Sequence, residues 1–306
     1  MSPRTLLIMG PTASGKSALA LALAERIGGE IVNADSMQVY ADFRVLTARP
    51  TREEEAQAPH HLYGHVDAAR LYSTGRWLED ALAAIADIRA RGRTPILVGG
   101  TGLYFKALTQ GLADIPAADD ETRAALRERV AREGAPALHA ELTARDAVTA
   151  ARLEPNDAPR ILRALEVLET TGESISALQA NTKPALARDE WAGLALTPDR
   201  EALYAAINTR FEKMLEHGAL DEVRAFAARR LDAALPAMKA HGAPALMAHL
   251  RGELTLAEAA EIGKRDTRRY AKRQFTWIGG QMPDWPRVAD HDLESRIAAV
   301  LALPQG

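Results

Sequence analysis

The sequence contains no cysteine, and this absence excludes several kinds of chemistry at once. Disulfides, thiolate nucleophiles, iron–sulfur clusters and cysteine-ligated zinc all require that side chain. Aromatic residues are also few, at 5% of the 306 positions. No apolar run reaches the roughly 18 residues that a membrane-spanning helix needs. The apolar stretch at residues 6–9 is too short for a secretory signal and no small-residue cleavage site follows it, so we expect a cytoplasmic protein.

Charge is close to balanced over the whole chain. The formal net charge of −3 gives no overall indication of a nucleic-acid partner. One segment, however, is strongly basic. Between residues 263 and 273 one acid, Asp266, stands among six basic side chains: Lys264, Arg265, Arg268, Arg269, Lys272 and Arg273. On a helix these six fall within about half of the circumference. Alone, this pattern favours an ordinary solvated face over a surface for nucleic-acid phosphates.

Apolar runs alternate with helical patterns over the first third of the chain. The predicted strands are Thr5–Met9, Glu30–Ala34 and Thr94–Val98, and the predicted helices are Ser17–Ile27 and Gly75–Ala90. Strands that alternate with helices predict a parallel sheet with crossover helices.

The pattern changes after Gly111. Residues 118–171 contain no strand-like run and predict several helices, with Asp119 and Asn156 as N-caps and Gly172 as a helix end. A further predicted strand, Trp191–Leu196, returns the chain to the sheet, and helices follow from Arg200 to Trp277.

A phosphate-binding sequence follows the first predicted strand. Residues 10–17 read GPTASGKS and match G-x-x-x-x-G-K-[ST], with the strand before it and the helix after it that this loop requires. The glycines let backbone N–H groups surround a phosphate, the lysine neutralises it, and the last hydroxyl can bind Mg²⁺. The predicted diphosphate-binding residues are Gly10, Pro11, Thr12, Ala13, Ser14, Gly15, Lys16 and Ser17, and Ser17 is also the predicted metal ligand.

These patterns together predict an α/β fold. Its core is a P-loop NTPase-like parallel sheet formed by residues 1–112 and 189–306, with an all-helical insertion domain at residues 113–188.

A P-loop leaves the reaction open, because most P-loop proteins are ATPases, GTPases or kinases. Those proteins usually end an apolar strand with an acid that organises the metal, whereas Ile96–Val98 is followed by glycines and a threonine. Asp35 is the acid best placed behind a strand. From its spacing alone, Asp35 could organise Mg²⁺, as in a kinase of a small metabolite, or act as a base.

Asp35 also begins a block that is similar to one in a known family. Residues 35–40, DSMQVY, resemble the D-S-x-Q-x-Y that follows the P-loop in tRNA dimethylallyltransferases. Further blocks match that family in the same order: TARP at 47–50, PHHL at 59–62, VGGTGLY at 98–104, NDAPRILRALE at 156–166 and YAKRQFTW at 270–277. With the P-loop, seven collinear blocks resemble those of the bacterial tRNA dimethylallyltransferases.

This resemblance implies that dimethylallyl diphosphate binds the P-loop. The dimethylallyl group would be transferred to N6 of adenosine 37, next to the anticodon of a tRNA, giving N6-isopentenyladenosine. The catalytic residues implied are Asp35 as the base, with Lys16 and Arg210 at the diphosphate. Mg²⁺ is the implied cofactor. The family suggests a monomer, and no obligate protein partner is evident.

The resemblance also implies that the helical insertion and several core residues contact the tRNA anticodon stem-loop. The implied tRNA-binding residues are Asp35, Ser36, Met37, Gln38, Thr101, Arg123, Pro159, Arg160, Ile161, Leu162, Arg163, Lys272 and Arg273. The basic face from Lys264 to Arg273 would lie along the phosphates. The chain departs from the family pattern at one residue and in one short segment. Arg49 replaces a lysine, and residues 241–245, HGAPA, replace a G-Y-[KR]-E block.

Overall fold

The computed structural model describes residues 4–116, 118–180 and 182–303. It divides into two compact units: unit 1 comprises Met1–Thr109 and Leu186–Gly306, and unit 2 comprises Gln110–Ala185. The sequence predicted these boundaries at residues 113 and 188. No helix within the described ranges is long and apolar enough to cross a membrane.

Unit 1 is built on a six-stranded sheet in which every pair of neighbouring strands is parallel. The strands are β1 (Thr5–Met9), β2 (Glu30–Asn33), β3 (His60–His61), β4 (Pro95–Gly99), β5 (Trp191–Leu196) and β6 (Arg287–Val288). Their order across the sheet is β3-β2-β4-β1-β5-β6. The predicted parallel α/β core is therefore confirmed.

Helices cover both faces of this sheet. In β1, Leu7 and Met9 belong to the larger apolar core, whereas Ile8 belongs to the core on the other face. Side chains alternate along a strand, so a strand that is apolar at every position must be covered on both sides. This explains why the central strands read as unbroken apolar runs.

The helices follow in chain order: α1 (Lys16–Ile27), α2 (Arg52–Gln57), α3 (Thr74–Ala90), α4 (Gly102–Gln110), α5 (Asp120–Glu133), α6 (Ala135–Arg145), α7 (Ala147–Ala150), α8 (Ala158–Thr171), α9 (Ile175–Ala180), α10 (Arg200–Glu216), α11 (Ala219–Ala228), α12 (Ala243–Leu250), α13 (Leu256–Gln281) and α14 (Leu293–Leu301).

Unit 2 is helical where the structure describes it, as the sequence predicted. It contains α5 to α9 around its own apolar core, which includes Leu138, Leu142 and Leu165. Asp119 caps α5, accepting a hydrogen bond from the Thr122 N–H, as predicted.

The predicted cap of α8 is wrong by one residue. The side chain that accepts from the Arg160 N–H is that of Asp157, not Asn156. Both residue types favour this position, and the backbone of the preceding turn selects Asp157. The helix ends at Thr171 and Gly172 is its C-cap, with the left-handed φ of 71° that glycine favours, so the predicted helix end is confirmed.

Candidate functional site

The site lies where three central strands end. The P-loop follows β1, Asp35 comes two residues after β2, and Thr101 comes two residues after β4. After β1 the chain continues to β2, toward one edge of the sheet. After β4, the neighbour of β1, it continues to β5, toward the opposite edge. Such a reversal between neighbouring parallel strands opens a crevice at their carboxyl ends, where α/β proteins bind ligands.

The P-loop is wound tightly before α1. Gly15 has φ 82° and Ala13 has φ 64°, so both adopt left-handed conformations. The Ser14 N–H donates to the Pro11 carbonyl (3.2 Å), and Lys16 Nζ donates to the same carbonyl (3.2 Å). Alternating conformations of this kind turn successive N–H groups toward one point, and the positive end of α1 adds to their field.

A cavity of about 760 Å³ opens over this loop. Residues 12–18 line one side of it, and Asp35 and Arg210 stand at its border. Basic side chains outnumber acidic ones in its lining: the basic residues are Lys16, Arg44, Arg49, Arg52, Arg210 and Lys213, and the acidic residues are Asp35, Glu53 and Glu54. The cavity is thus suited to an anion.

A second cavity of about 60 Å³ adjoins the first and shares Thr12, Asp35 and Arg210 with it. Its wall is otherwise mostly apolar, formed by Met37, Leu46, Ile207, Phe211 and Met214 together with the rings of His241 and Tyr270. A volume of this size holds a handful of non-hydrogen atoms. Anion-binding and apolar spaces therefore meet at one carboxylate.

Three charged groups influence one another at this junction. Burial lowers the pKa of Lys16 to about 8, Asp35 raises it, and Arg210 lowers it further. Burial also lowers the pKa of Arg210 to about 10, against the opposing effect of Asp35. Arg210 donates a hydrogen bond to Thr12 Oγ1 in the P-loop. Burial therefore makes the charged forms of Lys16 and Arg210 less favourable. A bound anion would stabilise both charges, as expected for an anion-binding site.

Asp35 is fixed by a network beneath it. The buried Asn33 side chain accepts from the Asp35 N–H (2.8 Å) and donates to the carbonyls of Asp35 and Leu62 (3.0 Å each). One carboxylate oxygen of Asp35 accepts from the Met37 N–H (2.9 Å). No described residue donates a hydrogen bond to the other oxygen, which is therefore available to a ligand. This network holds Asp35 in place at the border of both cavities.

The residues that follow Asp35 have different environments. Thr101 Oγ1 accepts from the Ser36 N–H (2.9 Å) and lies 3.2 Å from Ser36 Oγ, so these two predicted RNA-contacting residues adjoin each other. Met37 lines the small apolar cavity. Gln38 Nε2 donates to the carbonyls of Thr47 and Ala48 (2.8 and 2.7 Å), so its amide protons hold the loop rather than face outward.

Gln274, on α13, bridges two parts of the site and was not predicted as a site residue. Its Oε1 accepts from the Thr12 N–H of the P-loop, and its Nε2 donates to the Gly100 carbonyl after β4 (2.9 Å each). A Cβ at Gly100 would lie 2.0 Å from Gln274 Nε2, which explains the glycine. Gln274 lies within the 270–277 block, but only the fold shows what it contacts.

The basic segment of α13 is not one continuous surface. Lys264 is buried and its ammonium pairs with Glu212 and Glu261 (2.6 and 3.0 Å), so the prediction that it lies along phosphates is wrong. It sits at one edge of the basic arc, where the helix packs on α10. Arg268 is half-buried and bonds to Asn208. The exposed members are Arg265, Arg269, Lys272 and Arg273.

The other predicted RNA-contacting residues belong to unit 2. Arg123 lies on α5 and pairs with Asp120 (3.3 Å). On α8, Pro159 and Arg160 are exposed and Arg163 is half-buried. Ile161 is fully buried in the core of the unit and Leu162 packs against that core. An RNA contact by the Ile161 side chain is therefore ruled out, because that side chain lies on the apolar face of an amphipathic helix.

Both departures from the family pattern fall at the site. Arg49 lines the large cavity and donates to the Ala41 carbonyl (3.2 Å). His241 lines the small cavity, with its ring centroid 4.4 Å from that of Tyr270. Burial lowers the pKa of His241 and Arg273 lowers it further, against the smaller opposing effects of Asp35 and Asp266, so the site favours the neutral ring.

Comparison with known proteins assigns the chain to a family. A family model described as IPP transferase matches residues 38–281, which is more than half of the chain, and one described as Isopentenyl transferase matches residues 3–68. The chain belongs to the IPP transferase family.

Relatives in this family resemble the chain over nearly its full length. The tRNA dimethylallyltransferase of Rhodopseudomonas palustris is 57% identical over 300 residues, covering 98% of this chain and 94% of the relative. That of Maricaulis maris is 54% identical over 295 residues, covering 96% of each.

Solved structures of IPP transferases share the fold. The tRNA isopentenylpyrophosphate transferase of Bacillus halodurans superposes with a TM-score of 0.68 at 36% identity, covering 97% of this chain and 94% of that one. A eukaryotic dimethylallyltransferase acting on tRNA gives a TM-score of 0.80 at 29% identity, covering 96% and 75%.

Proposed function

We propose that this chain transfers the dimethylallyl group of dimethylallyl diphosphate to N6 of adenosine 37, beside the anticodon of tRNA, giving N6-isopentenyladenosine. The observation that carries the proposal is the junction at Asp35, where a phosphate cradle and a small apolar cavity meet. Family membership supports it, since the relatives are named for this activity. Because tRNA is the proposed substrate, we propose that the activity is cytoplasmic.

The donor has two chemically different ends, and the site offers a matching environment for each. Its diphosphate would occupy the large cavity, against the P-loop N–H groups, Lys16 and Arg210. Its five-carbon chain would occupy the small cavity, among Ile207, Phe211 and Met214. The allylic carbon that bears the oxygen then lies at the junction of the two cavities, next to Asp35.

The reaction breaks one bond and forms one. The C–O bond of the donor breaks and its electron pair leaves with the diphosphate, whose growing charge Lys16, Arg210 and the P-loop amides stabilise. The N6 lone pair of adenine forms the new C–N bond. This nitrogen is a weak nucleophile because its lone pair is delocalised into the ring, so a proton must leave as the bond forms, and Asp35 accepts it.

The residues at the P-loop fit a magnesium ion. Mg²⁺ prefers oxygen ligands and is commonly held by one or two protein oxygens together with substrate phosphates and water. Ser17 is exposed at the start of α1, and Ser17 and Asp35 both line the large cavity. We propose Ser17 as the ligand. When bound, the ion would neutralise charge on the departing diphosphate.

The acceptor adenine must leave its stack to reach Asp35, because the cavities lie below the protein surface. Ser36, Met37 and Thr101 border the approach and are proposed to contact the base or its neighbours. Lys272 and Arg273 are exposed on α13 and are proposed to contact phosphates.

Incubation with labelled dimethylallyl diphosphate, Mg²⁺ and bulk tRNA tests the proposal directly. We expect the label on the adenosine beside the anticodon after nuclease digestion, and no label on a tRNA that carries guanosine there. A parallel reaction with ATP should show no useful hydrolysis. ATP turnover that depends on Lys16, without transfer of the label, would contradict the proposal and favour a kinase of a small metabolite.

We further propose that unit 2 binds the anticodon stem-loop through α8. Changing Arg160 and Arg163 together to glutamine should raise the KM for tRNA and reduce its salt dependence by a slope of roughly two, because two phosphate contacts are lost. Affinity for the donor should not change. Arg132→Gln removes an exposed arginine of the same unit that lies outside the matched blocks, and serves as the control. An unaltered tRNA KM in the double variant would exclude α8 from tRNA binding.

A further inference from the structure

A buried arginine from the C-terminal helix supports the P-loop from behind. Arg296, on α14, is 5% exposed. Its Nη1 donates to the Ser14 carbonyl (2.9 Å) and its Nε donates to the Asp290 carbonyl (2.6 Å). The contact with the loop is close, since a Cβ at Gly15 would lie 2.6 Å from Nη1. No sequence block pointed to this residue.

The hydrogen bond to Ser14 sets the direction of the next N–H group. A peptide unit is planar and trans, so its C=O and N–H point in opposite directions. Arg296 draws the Ser14 carbonyl to the rear of the loop, and the Gly15 N–H of the same peptide must therefore point to the front. The Ser14 N–H is already bonded to Pro11. No described residue accepts a hydrogen bond from the Gly15 N–H, which is therefore available to a ligand in the large cavity.

Arg296 also places positive charge behind the phosphate cradle. No carboxylate of the described residues lies within 4.0 Å of its guanidinium nitrogens. Its Nη2 is buried and has no hydrogen-bond partner among those residues. Burial lowers the pKa of Arg296, and the attraction of the Asp290 carboxylate opposes this only in part. A partly neutralised buried charge of this kind favours an anion nearby more strongly than an exposed arginine would.

We propose that Arg296 is a positioning residue for the donor diphosphate. It holds the Ser14–Gly15 peptide so that the Gly15 N–H faces the diphosphate, and it contributes charge from behind the loop. This inference rests on the proposed function, because it takes the diphosphate as the ligand of the large cavity.

Simple attachment of α14 to α1 would be a different role, and the chain offers a matched control for it. Arg26 on α1 forms a two-bond ion pair with Glu294 on α14 (3.0 and 3.1 Å), which links the same two helices at the surface. It does not contact the P-loop. The apolar residues Ile297 and Val300 also attach α14 to the core.

The test compares Arg296→Met, Arg296→Lys and Arg26→Met. Calorimetry would give the Kd for inorganic pyrophosphate, and steady-state kinetics the KM for each substrate. We expect Arg296→Met to raise the pyrophosphate Kd and the donor KM by about tenfold or more, with the tRNA KM unchanged. Arg296→Lys should fall in between, because it keeps the charge but loses the planar fork. Arg26→Met should match the parent.

Two results would overturn the role of Arg296. One is a folded Arg296→Met that binds pyrophosphate within twofold of the parent, and the other is an equal loss in Arg26→Met. If Arg296→Met does not fold, Arg296→Lys decides: a Kd raised several-fold with a parental tRNA KM supports the role, and a parental Kd contradicts it. Failure of the parent to transfer label would instead contradict the proposed function.

Discussion

Asp35→Asn is expected to lower kcat by roughly 10²- to 10⁴-fold, the usual contribution of a positioned proton acceptor, while donor affinity stays within a few-fold of the parent. Asparagine keeps the shape and the oxygen that accepts from the Met37 N–H, so the loop should keep its geometry. It cannot take the proton from N6. Single-turnover transfer rates and donor binding, measured on the same preparation, check both parts of the prediction.

The same variant separates the two roles that the sequence left open for Asp35. If its carboxylate organised Mg²⁺ instead, the change should weaken donor binding and raise the magnesium requirement. Near-parental turnover at high magnesium would therefore show that the assignment as a base is wrong. Glu53→Gln is the control. It removes another carboxylate that lines the large cavity, and kcat should stay within about twofold of the parent.

The parts of the fold that local sequence determines were predictable. The longer strands are recognisable in the sequence as apolar runs, and the helix after the P-loop follows a glycine-rich turn. The structure confirms both. The two-residue strands β3 and β6 were missed. Each is defined by its pairing with a longer neighbour, β2 or β5, and two residues show no periodicity that could reveal them.

Sequence predicted those site residues that lie together in one continuous segment. The P-loop and Asp35 each stand within a single block, and the structure brings both to one pair of cavities. Gln274 and Arg296 act by reaching the P-loop across more than half of the chain. Lys264 shows the converse, because charge and helical spacing suggested exposure while its partner Glu212 lies on another helix.

Lys16→Met is expected to lower kcat/KM for the donor by roughly 10²- to 10³-fold, the cost of removing one charged group that stabilises a developing anion. The unliganded protein should not lose thermal stability. Burial holds the pKa of Lys16 below its ordinary value, which means that the empty folded site disfavours the ammonium. Melting curves without ligand therefore distinguish a lost charge from a damaged fold.

The pH profile of kcat/KM for the donor should reveal the titration of Lys16, because the pH dependence of this parameter reports the pKa values of the free protein. The pKa of Lys16 is about 8, so its protonated form predominates below that pH and is lost as the pH rises through it. The parent should then lose about tenfold per pH unit above 8, whereas an unshifted lysine would keep its charge to about 10.4. The ordinary pKa of arginine is well above that of lysine, so the decline near pH 8 should be absent from the activity that Lys16→Arg retains. A decline near pH 8 that persists in Lys16→Arg would assign it to another group.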